Sequence, residues 1–492
     1  MSGIFKIISN TGLYTLSSFL LRASSIILFP IFSLYLTESD YGILSITQSL
    51  ALIITVISGM GITNAMTRFI YFEAEKLKGD HSSIIYTSLF SSIAIQVLIV
   101  SIIIIFNNYI PDFILNDIPF FPYVFVALLT IPFNSVIEVA RRYFVSIQDG
   151  KKVFLLNMSF FSLNILFNLF FVVTLRFDVI GIFYGIFINT IVFCIILYFV
   201  FYRKFKINFK VNLLSKILRY CAPLVPYAIL NIFFEACDKL YLNSEHGSSF
   251  SGIYYIVIVF AAVFSAFKES VNIALTPWIY EHIKSNSEII RLVINWTLLI
   301  SGFLAMALSF LSEEILIILS SNPAFIKAHV YIPFTIVGFY LILFGNVFNI
   351  KTYYFGNFTD YLFIATIIGL AVEIVACYFL IPKYDILGAT VSRLIAFAVH
   401  VFVLFYFSYK ETEKREIYDY KFLLICCVIM SSLISLPFFI KLNFSFAINI
   451  LIKLGFISLL MFIVYISKRN EINIFMKSFL NSAFKRSPKK TN

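Results

Sequence analysis

The feature that most constrains this chain is a succession of long apolar runs separated by short polar connections. We count about fourteen runs, each near the 20 residues that an α-helix needs to cross the hydrocarbon layer. The predicted spans are 12–36, 42–66, 83–106, 119–140, 153–175, 179–202, 220–243, 250–276, 289–311, 328–351, 358–381, 386–408, 420–440 and 446–467. The sequence therefore predicts an all-α polytopic membrane protein.

Composition supports a membrane location and argues against a soluble protein. Hydrophobic residues make up 60% of the chain and charged residues only 13%, whereas a soluble domain has about a quarter charged residues. The net charge of +11 does not indicate nucleic-acid binding, because the basic residues lie between the apolar runs. Basic connections orient a membrane protein instead.

The basic residues concentrate in every second connection, as cytoplasmic loops do. The segment from Arg203 to Arg219 is the richest internal example, and the tail after Ser467 is another. This alternation predicts an even number of spans with both termini in the cytoplasm. The apolar and basic residues of the tail predict an amphipathic helix on anionic membrane lipids. The first run is too long for a signal peptide, so we expect it to remain as an anchor.

Two short patterns recur at nearly equal spacing along the chain. Asp178-Val-Ile-Gly181 returns as Asp385-Ile-Leu-Gly388, and Tyr41-Gly42-Ile43 returns as Ser251-Gly252-Ile253. An internal repeat of six helices, with its axis along the membrane normal, follows from this match. The predicted domains are an N-terminal lobe at 1–202, a basic cytoplasmic linker at 203–219, a C-terminal lobe at 220–410, an extra transmembrane helix pair at 411–467 and a basic cytoplasmic tail at 468–492.

Four segments carry a resemblance to a known family. They are Asp40-Tyr-Gly-Ile-Leu-Ser-Ile-Thr-Gln48, Tyr220-Cys-Ala-Pro-Leu-Val-Pro226 with Asp238, Ser251-Gly-Ile-Tyr-Tyr255, and Leu380-Ile-Pro382 with Asp385-Ile-Leu-Gly-Ala389. In order and spacing the chain resembles the Wzx-type polysaccharide or O-antigen flippases of the multidrug/oligosaccharidyl-lipid/polysaccharide (MOP) exporter superfamily.

The resemblance implies a V-shaped pair of six-helix lobes followed by two further helices. It also implies alternating access, in the bacterial inner membrane, for an undecaprenyl-pyrophosphate-linked oligosaccharide. A transmembrane proton or sodium gradient is the energy source expected of such a protein, and other polysaccharide assembly proteins are possible partners. Neither the sugar, the coupling ion nor the oligomeric state follows from the sequence.

Cationic residues within the helices are the candidates for binding a pyrophosphate. Ionisable residues in membrane spans are costly and mark functional sites, and arginine binds phosphate oxygens in pairs. Arg22 lies near the middle of the first span. We predict that the substrate-binding residues are Arg22, Lys239, Lys268 and Arg393. Lys268 and its neighbour Glu269 point about 100° apart on a helix, which leaves one of them to face a cleft.

Carboxylates within the helices are the candidates for ion coupling or gating. Asp238, Glu235 and Glu373 form this group. Glu235 and Lys239 are spaced for a local pair, and Glu373 and Arg393 are placed for a salt bridge between neighbouring helices. Structural pairing is the competing interpretation for each.

Four charged residues at helix ends are the predicted cytoplasmic entrance for the headgroup, although ordinary positive-inside anchoring is the competing and favoured interpretation. They are Arg68, Glu138, Arg141 and Arg142. No Gly-rich nucleotide loop and no zinc-type ligand cluster is present in the sequence, so we expect no cofactor, no metal and no enzymatic activity. The alternatives are a cation-coupled multidrug exporter of the same superfamily and a membrane glycan polymerase or glycosyltransferase. The short outer connections argue against the enzymes.

Overall fold

The computed structural model describes residues 25–72, 81–110, 112–282, 287–355, 358–410, 417–440 and 444–467. All regular elements in these ranges are helical. Three predictions lie wholly or partly outside them: Arg22, positions 12–24 of the first span, and the amphipathic tail at 468–492.

Fifteen helices provide the frame for the described residues. They are α1 (Glu38–Gly59), α2 (Ile62–Phe72), α3 (Ser82–Ile105), α4 (Phe125–Ser146), α5 (Gly150–Leu169), α6 (Asp178–Val200), α7 (Val211–Cys221), α8 (Val225–His246), α9 (Ser248–His282), α10 (Ser287–Phe310), α11 (Ser312–Leu319), α12 (Ile332–Phe355), α13 (Phe358–Lys410), α14 (Tyr420–Phe439) and α15 (Phe446–Ser467).

Three of these helices, α1, α5 and α14, begin at a short polar side chain that caps them. At the start of α1, the Thr37 hydroxyl accepts from the backbone N–H of Asp40, whose carboxylate accepts from the Thr37 N–H at 2.9 Å. Asp149 caps α5 and Asp419 caps α14 by accepting backbone N–H groups at 3.1 and 3.0 Å. Such caps satisfy N–H groups that have no partner inside the helix.

Twelve stretches of the described chain are long and apolar enough to cross a membrane. They account for the predicted spans from the second to the fourteenth, because the predicted eleventh and twelfth spans fall in one stretch, Tyr361–Lys410. Within it Asp385 departs from helical geometry, with φ 48° and ψ −123°. The first span, 12–36, is described only from residue 25 onward, so the count of fourteen and the cytoplasmic termini stay predictions.

The described residues divide into two compact units. The first unit contains those up to Ile256 together with Cys377–Ile386, and the second unit contains Val257–Ala376 with those from Leu387 onward. The predicted lobes divide the sequence by its helical repeat, and that division stays a prediction. The segment predicted as a basic linker, 203–219, contains all but the last two residues of α7, which buries Leu213 and Ile217.

Within the first unit, Gly42 and Gly252 occupy equivalent positions of the sequence repeat. Each of them lies against the helix that carries the other. A Cβ at Gly42 would lie 1.8 Å from the carbonyl oxygen of Ser248, and a Cβ at Gly252 would lie 1.8 Å from that of Glu38. Real atoms cannot approach so closely, so only glycine fits at both places. The hydroxyls of Ser39 and Ser248 meet at 2.7 Å beside them. The starts of α1 and α9 therefore cross in direct backbone contact.

Candidate functional site

A cluster of three charged residues in the first unit lies on the last turns of α4. The Glu138 carboxylate accepts from Arg141 Nη1 at 2.9 Å and from Arg142 Nε at 2.8 Å. The three residues are spaced i, i+3 and i+4, which places them on one face of a helix. Their side chains are between 28% and 38% exposed, so the cluster is accessible to a ligand.

These three residues line a cavity of about 430 Å³ in the first unit. The wall combines small or polar side chains from several helices with apolar side chains of α5 and α8. The polar members are Thr55, Thr63, Asn64, Gln96, Asn134, Ser135, Glu138, Arg141 and Arg142. A pocket with a few convergent polar groups on an apolar wall is the usual form of a small-molecule or headgroup site.

The cavity is cationic. Two guanidinium groups share one carboxylate, so the cluster carries a formal charge of +1. Among the described residues, Arg141 Nε is buried without a hydrogen-bond partner. A buried donor that lacks an acceptor costs free energy until a ligand or water supplies one. The cluster is therefore suited to an anion that brings additional acceptor oxygens.

Sequence analysis missed the neutral polar wall of this cavity. Ser135 Oγ donates to Gln96 Oε1 at 2.6 Å, and both residues are about 4% exposed. The bond joins α3 to α4 inside a largely apolar bundle. Gln96 in the middle of an apolar run was the available signal, because an amide there needs a partner.

Arg68, the fourth residue of the predicted entrance, does not line this cavity. Its guanidinium lies 4.5 Å from the ring centroid of Tyr220, a cation–π arrangement that links α2 to α7. The structure thus brings together Glu138, Arg141 and Arg142 and leaves Arg68 in a separate contact.

The predicted group on α8 centres on Asp238, which is fully buried in the first unit. Its carboxylate accepts from the Tyr254 hydroxyl of α9 and from the Lys239 backbone N–H. Lys239 is half-buried and Glu235 is exposed. Asp238 therefore forms a hydrogen-bonded contact between α8 and α9.

In the second unit, the predicted residues occur as two ion pairs. Glu373 Oε1 and Arg393 Nε lie 3.9 Å apart and are 0% and 5% exposed, as expected for the predicted salt bridge. Lys268 Nζ lies 3.4 Å from Glu269 Oε1 and 5.8 Å from the Phe339 ring centroid. The side chains of Lys268 and Glu269 thus bend toward each other although their Cα–Cβ bonds diverge. Within the described ranges, no group of three or more metal-ligating side chains is present.

A family model described as "Polysaccharide biosynthesis protein" matches residues 7–282. No curated protein sequence matches the chain. Several solved structures have a similar fold. "Lipid II flippase MurJ, inward closed conformation" is 17% identical with a TM-score of 0.70, over 94% of this chain and 99% of that one.

Two multidrug-type structures are also similar. "Inward-facing conformation of a multidrug resistance MATE family transporter of the MOP superfamily" has a TM-score of 0.60 at 15% identity, over 80% of this chain and 96% of that one. A MOP superfamily transporter from Pyrococcus furiosus has a TM-score of 0.55 at 15% identity, over 82% and 95%. By their titles these structures are transporters and a flippase, not enzymes, in agreement with the prediction that this chain is not an enzyme.

Proposed function

Since this chain belongs to the polysaccharide biosynthesis protein family, we propose that it is a flippase for an undecaprenyl-pyrophosphate-linked oligosaccharide. It is a multi-pass membrane protein with the fold of the MOP superfamily. We place it in the bacterial inner membrane, where it moves a repeat unit of the O-antigen or capsule type. Other polysaccharide assembly proteins are its expected partners.

One observation carries the proposal: Arg141 and Arg142 converge on Glu138 at a polar cavity. A pyrophosphate offers several oxygens in the planar geometry that guanidinium groups bind. The phosphate oxygens can supply the acceptor that Arg141 Nε lacks among the described residues. The headgroup thus exchanges its hydrogen bonds to water for charge-assisted hydrogen bonds to the guanidinium groups.

The neutral polar wall suits the sugar part of the same substrate. Gln96, Asn134 and Asn64 offer amide donors and acceptors to sugar hydroxyls. The prenyl chain needs no protein cavity, because lipid solvates it at no cost. The substrate can then be carried with only its polar part inside the protein.

The runner-up function, a multidrug exporter, requires the opposite sign of charge. A cationic drug would meet a cluster of net charge +1 in this cavity, and like charges repel. Drug susceptibility separates the two functions: deletion of the gene leaves susceptibility to cationic drugs unchanged if the chain is a flippase and increases it if the chain is a drug exporter.

We propose that a proton or sodium gradient drives translocation. Asp238 and Glu373 are the carboxylates to test first, because both are fully buried and buried carboxylates in membrane helices frequently mark ion pathways. Transport into proteoliposomes is measured with an imposed pH or sodium gradient, for the wild type and for the Asp238→Asn and Glu373→Gln variants. The rates show whether transport depends on the gradient and on either carboxylate. Transport that is independent of both gradients would contradict the coupling.

The function itself is tested by deleting the gene and identifying the lipid-linked glycan that accumulates in the cytoplasmic leaflet. Complementation then compares the wild type with an Arg141→Ala/Arg142→Ala variant. Lys152→Ala is the matched control, because it removes an ion pair with Asp149 on the next helix without touching the cavity. We expect the control to restore export and the double variant to fail. Absence of any accumulated lipid-linked glycan would contradict the function.

Arg22 lies outside the described residues and stays a predicted substrate-binding residue. We expect Arg22→Ala to abolish surface glycan export while membrane insertion stays normal. Normal export by a well-expressed Arg22→Ala protein would remove this residue from the mechanism.

A further inference from the structure

A second polar cavity, of about 370 Å³, lies in the second unit. It sits where α10 ends at Phe310, α14 ends at Phe439 and α15 begins at Phe446. Its position at one end of these helices places it near a membrane surface rather than at the middle of the hydrocarbon layer. The family match at 7–282 does not extend to any residue of this cavity.

The polar side of this cavity is built from α11, α15 and the turn before α12. Lys453 Nζ lies 2.5 Å from Glu314 Oε1 and 3.9 Å from Glu313 Oε2. Lys453 and Glu314 are 8% and 3% exposed, whereas the Glu313 side chain is 42% exposed. Glu314 Oε2 has no hydrogen-bond partner among the described residues. Two carboxylates and one ammonium group give this cluster a formal charge of −1.

A histidine completes the polar side. His329 lines the cavity, and its Nδ1 is 2.8 Å from the carbonyl oxygen of Ile326. Because a carbonyl oxygen only accepts, Nδ1 is the donor, and Nε2 is left as an acceptor for a donor group of a ligand. The cavity thus presents carboxylate oxygens and nitrogen groups within the same small space.

The other side of the cavity is apolar. Phe310 and Phe456 stack with their ring centroids 5.7 Å apart, and Leu436, Phe438 and Ile452 continue the wall. Polar groups along one edge and aromatic and aliphatic groups along the other match a molecule with a charged head and an apolar tail.

The depth of Lys453 fits such a molecule. It lies seven positions after Phe446, where α15 begins, which is about 10 Å along a helix that rises 1.5 Å per residue. The charged head of a lipid lies at this end of the hydrocarbon layer, and its chain extends toward the middle.

We propose that this cavity binds a zwitterionic membrane phospholipid whose headgroup carries a primary amine. The ammonium group pairs with the Glu313 carboxylate and donates to His329 Nε2, the phosphate binds Lys453, and an acyl chain lies on the wall formed by Phe310, Phe456 and their apolar neighbours. The charges decide the class of lipid. An anionic lipid would meet two carboxylates without a cation of its own, and a trimethylated amine has no N–H to donate to them. This site is independent of the proposed transport function.

Native mass spectrometry and thermal unfolding of the purified full-length protein test the site. The probes are phosphatidylethanolamine, phosphatidylcholine and phosphatidylglycerol with identical acyl chains. We expect phosphatidylethanolamine to be retained and to raise the unfolding temperature by a few degrees, and the other two to do neither. Equal retention of all three lipids, preferential retention of phosphatidylglycerol, or a protein dimer that excludes lipid would overturn the proposal.

Glu313→Gln is the decisive variant, because its half-exposed side chain can change without unfolding the protein. Loss of one charge-assisted hydrogen bond weakens phosphatidylethanolamine binding about tenfold. Glu288→Gln, an exposed acidic residue at the start of α10, is the matched control and keeps wild-type retention. Unchanged retention of phosphatidylethanolamine by Glu313→Gln would mean that the lipid binds at another surface, and the proposal would be overturned.

Discussion

The two polar cavities of this chain are lined by charge clusters of opposite net sign. In the first unit one carboxylate, Glu138, holds two guanidinium groups, and in the second unit one ammonium group, Lys453, lies between two carboxylates. The first cluster is about one-third exposed and the core pair of the second is at most one-tenth exposed. The difference in exposure indicates different roles. An accessible cluster can exchange its partner for a ligand, whereas a buried pair fixes the helices that carry it.

The two clusters also differ in how they are built. Glu138, Arg141 and Arg142 lie within two turns of one helix, so their contact survives any movement of that helix. Lys453 and Glu314 lie on α15 and α11, and their contact exists only while α15 stays docked. The first cluster is therefore a candidate substrate site, whereas the Lys453–Glu314 pair joins α15 to α11, and Lys453 and Glu313 line the proposed lipid site beside it.

The largest expected effect is on the buried pair. Lys453→Met leaves Glu314 buried without its cation, which costs about 3 kcal/mol of stability. Thermal unfolding of the purified protein measures the loss. Adding Glu314→Leu to the same protein removes the unpaired charge and recovers most of the stability. If Lys453→Met alone were neutral, the pair would not hold α15, and the contrast between the two clusters would fail.

The second effect falls on transport rather than stability. Arg141→Ala/Arg142→Ala removes two charge-assisted contacts to phosphate, each worth about 1.5 kcal/mol or more, so translocation falls about a hundredfold in proteoliposomes. The unfolding temperature changes little, because the side chains are partly exposed. A large fall in the unfolding temperature with unaffected transport would mean that Arg141 and Arg142 stabilise the fold, as proposed for Lys453 and Glu314, and do not bind substrate.

A smaller effect of opposite sign is expected for the carboxylate of the first cluster. Glu138→Gln releases both guanidinium groups from their internal partner, so a pyrophosphate lipid binds several-fold more tightly and leaves more slowly. Equilibrium binding and single-turnover transport measure the two consequences. Weaker binding in Glu138→Gln would mean that the carboxylate positions the arginines for the ligand instead of competing with it.

The smallest effect concerns the neutral wall of the first cavity. Ser135→Ala leaves the Gln96 side-chain oxygen without its donor and costs about 1 kcal/mol. We expect a slightly lower unfolding temperature and near-normal transport, which would show that charge, not the neutral wall, governs the site. If Ser135→Ala transported as poorly as the double arginine variant, the neutral wall would matter as much as the charges.

The transmembrane helices were predictable because their signal is local. A run of about 20 apolar residues suffices, and thirteen of the predicted spans correspond to stretches described by the structure. What hydropathy could not give is the break at Asp385, where a single residue with positive φ interrupts an otherwise continuous helical stretch. It likewise could not show α7, an amphipathic helix inside a segment that reads as basic linker.

The candidate site was predictable to the extent that it is local. Glu138, Arg141 and Arg142 meet through helical spacing alone, and Glu373 with Arg393 through the order of neighbouring helices. Lys453 with Glu314 and Gln96 with Ser135 join residues far apart in the sequence, and no periodicity encodes such pairs. The lone lysine within the apolar run of α15 was the signal that could have drawn attention to the second cluster.

The proposed function depends on Arg141 and Arg142 binding phosphate. The binding of undecaprenyl pyrophosphate to the purified protein measures this, with Lys152→Ala as the control. We expect wild-type affinity for the control and a loss of about a hundredfold in Arg141→Ala/Arg142→Ala. Equal affinity in the wild type and the double arginine variant would contradict the proposed function.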